Sequence, residues 1–119
     1  MPRYTIAHAD DFERPFPKWA LARKSLGLTS FGMNIVELPP GESIPEHDEV
    51  DRDQEEVFVT LDGVATFVID GEEHPAPPGT YARLDPEPVR TVVNRSDRAA
   101  TVLIVSAPRT SGYEPLDWC

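Results

Sequence analysis

The residues best suited to chemistry lie in one acidic stretch near the middle of the chain. It holds a histidine, His47, followed by Glu49, Gln54 and Glu56. An imidazole nitrogen and these side-chain oxygens can hydrogen-bond a polar small molecule, and they can also ligate a divalent metal ion. Because side chains alternate along a strand, His47 and Glu49 share one face. The next strand presents Gln54, Glu56 and Phe58 on one face for the same reason.

The opposite face of that second strand is apolar, with Val57, Val59 and Leu61. Buried polar groups need hydrogen-bond partners, so a polar side chain at every second position is unusual in a tightly filled core. The alternation therefore indicates a barrel interior lined with polar groups, where a small ligand can bind.

This stretch resembles the first motif of the cupins, which is a glycine, five residues, His-x-His, a short spacer, a glutamate, six residues and a glycine. Gly41 and His47 occupy the first two fixed positions, and Glu49 replaces the second histidine. Glu56 and Gly63 close the motif in register.

The remaining motif positions depart further from the family. The spacer before Glu56 is longer than in the family, which predicts a small loop or bulge at 50–53. The second cupin motif maps onto 85–94, where Asn94 is kept and Arg90 replaces the histidine. The resemblance covers about two thirds of the chain.

The resemblance implies an antiparallel double-stranded β-helix, the jelly-roll barrel of the cupins, commonly dimeric, with a metal held by three histidines and a glutamate. Only His47 and Glu56 match those ligands as such. Arg90 is always charged, so it cannot ligate a metal and repels one. We therefore expect no cofactor and no typical metal centre. If a metal binds, we expect Mn, Fe, Ni or Zn on His47, Glu49, Gln54 and Glu56.

The elements that must position these residues are short strands. Apolar runs recur about every ten residues and are separated by turn dipeptides such as Asp62-Gly63 and Asp70-Gly71, a spacing typical of an all-β barrel. The predicted strands are 31–38, 43–49, 56–61, 65–70, 80–84, 89–94 and 100–106.

The whole chain is predicted to form a single domain. Residues 1–29 read as an N-terminal arm with at most a short helix ending at Gly27, residues 30–108 as the barrel, and residues 109–119 as a tail. The bulky Tyr113 and Trp118 predict that the tail packs on the protein.

Composition excludes several classes of partner. The chain has 119 residues with 11 basic and 21 acidic side chains, a formal net charge of -10. Nucleic acid and anionic membranes are therefore not expected partners. The only cysteine is Cys119, and the first ten residues lack the apolar segment of a signal peptide. We expect a cytoplasmic protein.

Three functions are compatible with this sequence. The first is binding of a small organic ligand, with an anion as one candidate, by His47, Gln54, Glu56 and Phe58, where Arg90 would be the charge partner. The second is a metal-dependent enzyme of the oxygenase, isomerase or epimerase type. The third is a non-catalytic, dimeric interaction protein whose interior is closed by an Arg90–Glu56 pair. A homodimer is expected in each case.

Overall fold

The computed structural model describes residues 3–119 and has two antiparallel sheets over that range. The larger sheet has the strand order β1-β2-β8-β3-β6 and the smaller one β5-β4-β7. The strands are β1 Trp19–Ala20, β2 Gly32–Leu38, β3 Gln54–Asp62, β4 Ala65–Ile69, β5 Glu72–Ala76, β6 Tyr81–Leu84, β7 Arg90–Val93 and β8 Ala100–Pro108. A 3-10 helix, Ala9–Asp11, and a helix α1, Ala22–Leu26, complete the elements. The predicted all-β jelly roll is confirmed.

The hairpins form where glycine permits the turn. Asp70 and Gly71 connect β4 to β5 with φ angles of 49° and 79°. Positive φ at both central residues matches the right-handed twist of the flanking strands. Gly63, with φ of 68°, follows β3 directly. Both turns fall where the Asp-Gly dipeptides predicted them.

One predicted strand is not a regular strand. Residues 43–49 form two isolated bridges with β7, Ser43 with Val93 and His47 with Arg90, and no continuous ladder. Pro45, between the two bridges, has no N–H to continue a ladder. The segment still runs along β7, which is enough to fix the backbone of His47.

The N-terminal arm joins the larger sheet. Trp19 of β1 pairs with Val36 of β2, and α1 ends at Gly27 in the left-handed conformation. The tail differs from the expectation, because Tyr113 and Trp118 are 76% and 82% exposed. None of the described helices is long and apolar enough to span a bilayer.

The core occupies the space between the two sheets. Phe58 from the larger sheet meets Phe67 from the smaller one edge to face, with ring centroids 5.5 Å apart. The surroundings of the inward face of β3 change from apolar to polar along the strand. Phe58 is surrounded by apolar residues, whereas Glu56 lies among polar groups. The polar end of the barrel interior is therefore the place for a site.

Candidate functional site

His47 is held by its backbone and by its ring. Its N–H donates to the carbonyl of Arg90 at 3.0 Å, and its carbonyl accepts from the N–H of Arg90 at 2.8 Å. Nδ1 lies 2.9 Å from the carbonyl oxygen of Pro45. A carbonyl can only accept, so Nδ1 carries the proton and the lone pair of the neutral ring is on Nε2.

Two carboxylates face this nitrogen. Nε2 of His47 lies 3.4 Å from Oε1 of Glu49 and 3.9 Å from Oε1 of Glu56. One ligand atom from each of the three residues lies within 4.8 Å of the other two. We call these three residues the acceptor triad, because with a neutral imidazole all three atoms offer lone pairs to the same region.

Glu56 is the most deeply buried member of the triad. It pairs in register with Leu84 of β6 and Ser106 of β8, and its side chain is 6% exposed. Its Oε1 has no hydrogen-bond partner among the described residues. Burial raises the pKa of this carboxyl and the charge of Glu49 raises it further, whereas the charge of Arg90, and that of His47 when its ring is protonated, act in the opposite direction.

Arg90 is fully buried beside Glu56, with Nε 3.6 Å from Oε1 of that carboxylate. Its two terminal nitrogens donate to backbone carbonyls, one to Pro86 at 3.1 Å and one to Asp85. The guanidinium is therefore fixed behind Glu56 by the segment that precedes β7.

A cavity of about 210 Å³ opens in front of the acceptor triad. Gln54 lines it together with the triad, whereas Arg90 and Phe58 do not. Phe58, which the sequence predicted as a ligand-binding residue, is instead fully buried against Phe67. Alternation along β3 placed it on the correct face but could not show how deep the polar part of the interior reaches.

Several cavity residues were not assigned from the sequence. They are Trp19, Met33, Asn34, Ile44, Arg52, Ile104 and Ser106. Most come from the pairing of β2 with β8, which brings together residues far apart in the sequence and leaves no local signal. The sequence did give an indication of Arg52, because this residue lies in the loop predicted at 50–53 beside the candidate site residues.

The acceptor triad can interact with two kinds of partner. Carboxylate oxygens and an imidazole nitrogen accept hydrogen bonds from O–H and N–H groups of a ligand. One nitrogen and two oxygens also suit a divalent cation, and the Nδ1 contact of His47 with a backbone carbonyl is the usual support of a metal-binding histidine. Oε1 of Glu56, which makes no hydrogen bond among the described residues, fits either partner. Arg90 places a fixed positive charge next to that oxygen, which weakens a cation site.

Comparison with known proteins agrees with this architecture. The sequence matches the family model described as a cupin domain over residues 34–106. No curated protein matches it.

Solved structures give the same fold. A cupin protein from Bacteroides fragilis is 24% identical, with a TM-score of 0.81 over 99% of this chain and 94% of that one. A sugar phosphate isomerase from a cupin superfamily, from Silicibacter pomeroyi, is 30% identical with a TM-score of 0.67, over 75% of this chain and 57% of that one. A predicted oxalate decarboxylase from Thermotoga maritima is 22% identical with a TM-score of 0.60, over 65% of each chain.

Proposed function

Because this chain belongs to the cupin superfamily, we propose that it binds a small organic molecule through O–H or N–H groups that donate to the acceptor triad. The observation that carries the proposal is Oε1 of Glu56, a buried acceptor that makes no hydrogen bond among the described residues and lies 3.6 Å from Nε of Arg90 and 3.9 Å from Nε2 of His47. A buried acceptor without a hydrogen bond is costly, and a donor from a ligand removes that cost. Gln54, at the same cavity, can orient the ligand through its amide.

The position of Arg90 changes the charge expected at the inner end of the ligand, which is the end that faces the acceptor triad. An anion next to Glu49 and Glu56 would be repelled, and the guanidinium is behind Glu56 with its terminal nitrogens already bonded to carbonyls. Arg90 therefore offsets the charge of Glu56 rather than binding the ligand. The inner end suits a hydroxyl or amine group.

The size of the cavity limits what can enter. Its volume of about 210 Å³ is below the roughly 300 to 1,000 Å³ of pockets that hold drug-sized ligands. The similarity to the sugar phosphate isomerase from Silicibacter pomeroyi also supports a small, oxygen-rich ligand for this chain.

The second candidate function is a metal-dependent reaction, which is favoured by the convergence of three ligand atoms within 4.8 Å. His47, Glu49 and Glu56 would hold the ion, with the side-chain oxygen of Gln54 as a further ligand. Mn, Fe, Ni and Zn suit this set. Such an ion would act as a Lewis acid toward a substrate oxygen. The open cavity gives less support to the third candidate, an interaction protein with a closed interior.

A ligand screen followed by NMR tests the first function. Protein treated with EDTA is titrated with neutral sugars, polyols and amino alcohols while the ring resonances of His47 are observed. We expect at least one compound to shift them saturably, and the Glu56→Gln variant to bind it at least tenfold more weakly. The control is His74→Gln, an exposed histidine outside the cavity. Equal binding by Glu56→Gln and the native protein would contradict the proposal.

Elemental analysis separates the two candidates. Protein prepared without chelator is analysed for Mn, Fe, Ni and Zn beside the His47→Ala variant. The metal-free function predicts well under one ion per chain in both. A stoichiometric ion that is lost in His47→Ala would support the metal-dependent function instead.

The expected homodimer and cytoplasmic location remain predictions. Light scattering coupled to size-exclusion chromatography measures the mass directly, and a mass close to 13.2 kDa would contradict the dimer.

A further inference from the structure

The cavity of the acceptor triad continues into a second cavity nearer the surface. This outer cavity has a volume of about 600 Å³. The two cavities share four lining residues: Asn34, Arg52, Gln54 and Ser106. A ligand seated on the triad can therefore extend past these side chains into the outer cavity.

The outer cavity has a charge opposite to that of the chain. The protein carries 21 acidic and 11 basic side chains, but the lining of this cavity contains two arginines, Arg23 and Arg52, and no carboxylate. Thr29 and Ser30 add hydroxyl groups to the same lining. Guanidinium and hydroxyl donors together suit an anion with several acceptor oxygens.

Arg52 is free to meet such an anion. The neighbouring carboxylate of Asp53 binds Arg109: Nη2 and Nε of Arg109 lie 2.6 Å and 3.0 Å from Oδ1 of Asp53. Asp48 accepts from the N–H of Val50. Within the part of the chain that the structure describes, Arg52 makes no salt bridge to either aspartate or to any other carboxylate.

Arg23 lines the outer cavity from the N-terminal arm. It lies on α1, and its Nη1 donates to the carbonyl of Leu28 at 3.0 Å. That single bond leaves most of its five N–H donors available. The two arginines come from the N-terminal arm and from the loop at 50–53, so the anion would tie these two segments together.

We infer that the ligand of the acceptor triad carries a carboxylate or phosphate group and that Arg52 and Arg23 bind this group in the outer cavity. The inference rests on the proposed function, because it extends the same ligand outward. The two ends of the ligand then differ in chemistry. Hydroxyl or amine groups lie toward the acceptor triad, and the negative charge lies toward the arginines. The positive charge expected from Arg90 is thus supplied by Arg52.

NMR of the arginine side chains tests the outer site alone. The Nε–H resonances of Arg52, Arg23 and Arg98 are followed while inorganic phosphate is added at constant ionic strength, and acetate is used in a second titration. Arg98 is an exposed arginine between β7 and β8 and serves as the control. We expect saturable shifts for Arg52 and Arg23 only. Stronger binding of phosphate or of acetate identifies which anion the site prefers.

Two variants decide the outcome. Arg52→Gln is expected to weaken binding of the preferred anion about tenfold, and Arg98→Gln is expected to leave it unchanged. Shifts that do not saturate with either anion, or that are equal at Arg98, overturn the inference. His47→Gln should leave anion binding intact, so failure of the triad to bind hydroxyl compounds is measured separately from failure of the arginine site.

Discussion

Nε of Arg90 lies 3.6 Å from Oε1 of Glu56, and both side chains are buried inside the barrel. In the cupin motif a metal-binding histidine would occupy the position of Arg90. This chain instead places its own fixed cation next to Glu56, the glutamate of the first motif, and outside the cavity that Glu56 faces. Arg90 therefore sets the charge of the site without occupying it.

Removing the carboxylate of Glu56 should destabilise the protein strongly. Glu56→Ala removes the acceptor that Nε of Arg90 faces and opens a cavity, for which we expect a loss of about 3 kcal/mol in the free energy of unfolding. Urea denaturation measures it. The matched control is Glu73→Ala, which breaks an exposed pair with Arg95 and should cost less than about 1 kcal/mol. Similar losses in the two variants would refute the buried-pair account.

The titration of Glu56 should occur above the usual range of a glutamate. Its pKa is raised by burial and by Glu49, so the native state binds this proton more tightly than the unfolded chain. The Glu56 contribution to stability is therefore present at low pH and is lost as the pH rises from the ordinary glutamate value through the raised native value. Carbon-detected NMR of the carboxyl in EDTA-treated protein measures the pKa. Glu49→Gln should lower it, and a native pKa at or below the ordinary value would contradict this prediction.

Asn94 should be irreplaceable by aspartate. It is fully buried, and its Nδ2 donates to the carbonyls of Leu38 at 2.8 Å and Arg98 at 2.6 Å. Asn94→Asp replaces those donors with a carboxylate that faces two carbonyl oxygens, and we expect a loss of about 3 kcal/mol near neutral pH. Thermal unfolding as a function of pH provides the check. The loss should shrink in acid, where the protonated side chain regains one donor, and a pH-independent loss would argue against this role.

Gly63 is required by close packing as well as by its positive φ. A Cβ at this position would lie 2.2 Å from the carbonyl oxygen of Ala99 and 2.9 Å from Cα of Ala100. Gly71 has a similar φ but no atom within 4 Å of its Cβ position. We expect Gly71→Ala to cost about 1 kcal/mol from backbone strain alone. Gly63→Ala should cost about 2 kcal/mol more in urea denaturation, and equal costs would exclude the clash with Ala99.

The local features of the fold followed from the sequence. The Asp-Gly turns and the apolar runs predicted most strands because turn geometry and side-chain alternation depend only on neighbouring residues. The same alternation placed Glu56 on the inward face of β3. The segment at 43–49 was overpredicted, because the pattern does not show whether Pro45 interrupts its ladder.

The sequence by itself predicted a cupin barrel and grouped His47, Glu49, Gln54 and Glu56 as candidate lining residues of its interior. Only the tertiary structure decided what each charge faces. Arg90 donates to the carbonyls of Asp85 and Pro86 and lies outside the cavity, whereas Arg52 lines both cavities. These outcomes depend on loop conformation and on the pairing of distant strands. Periodicity along the chain carries no information about either.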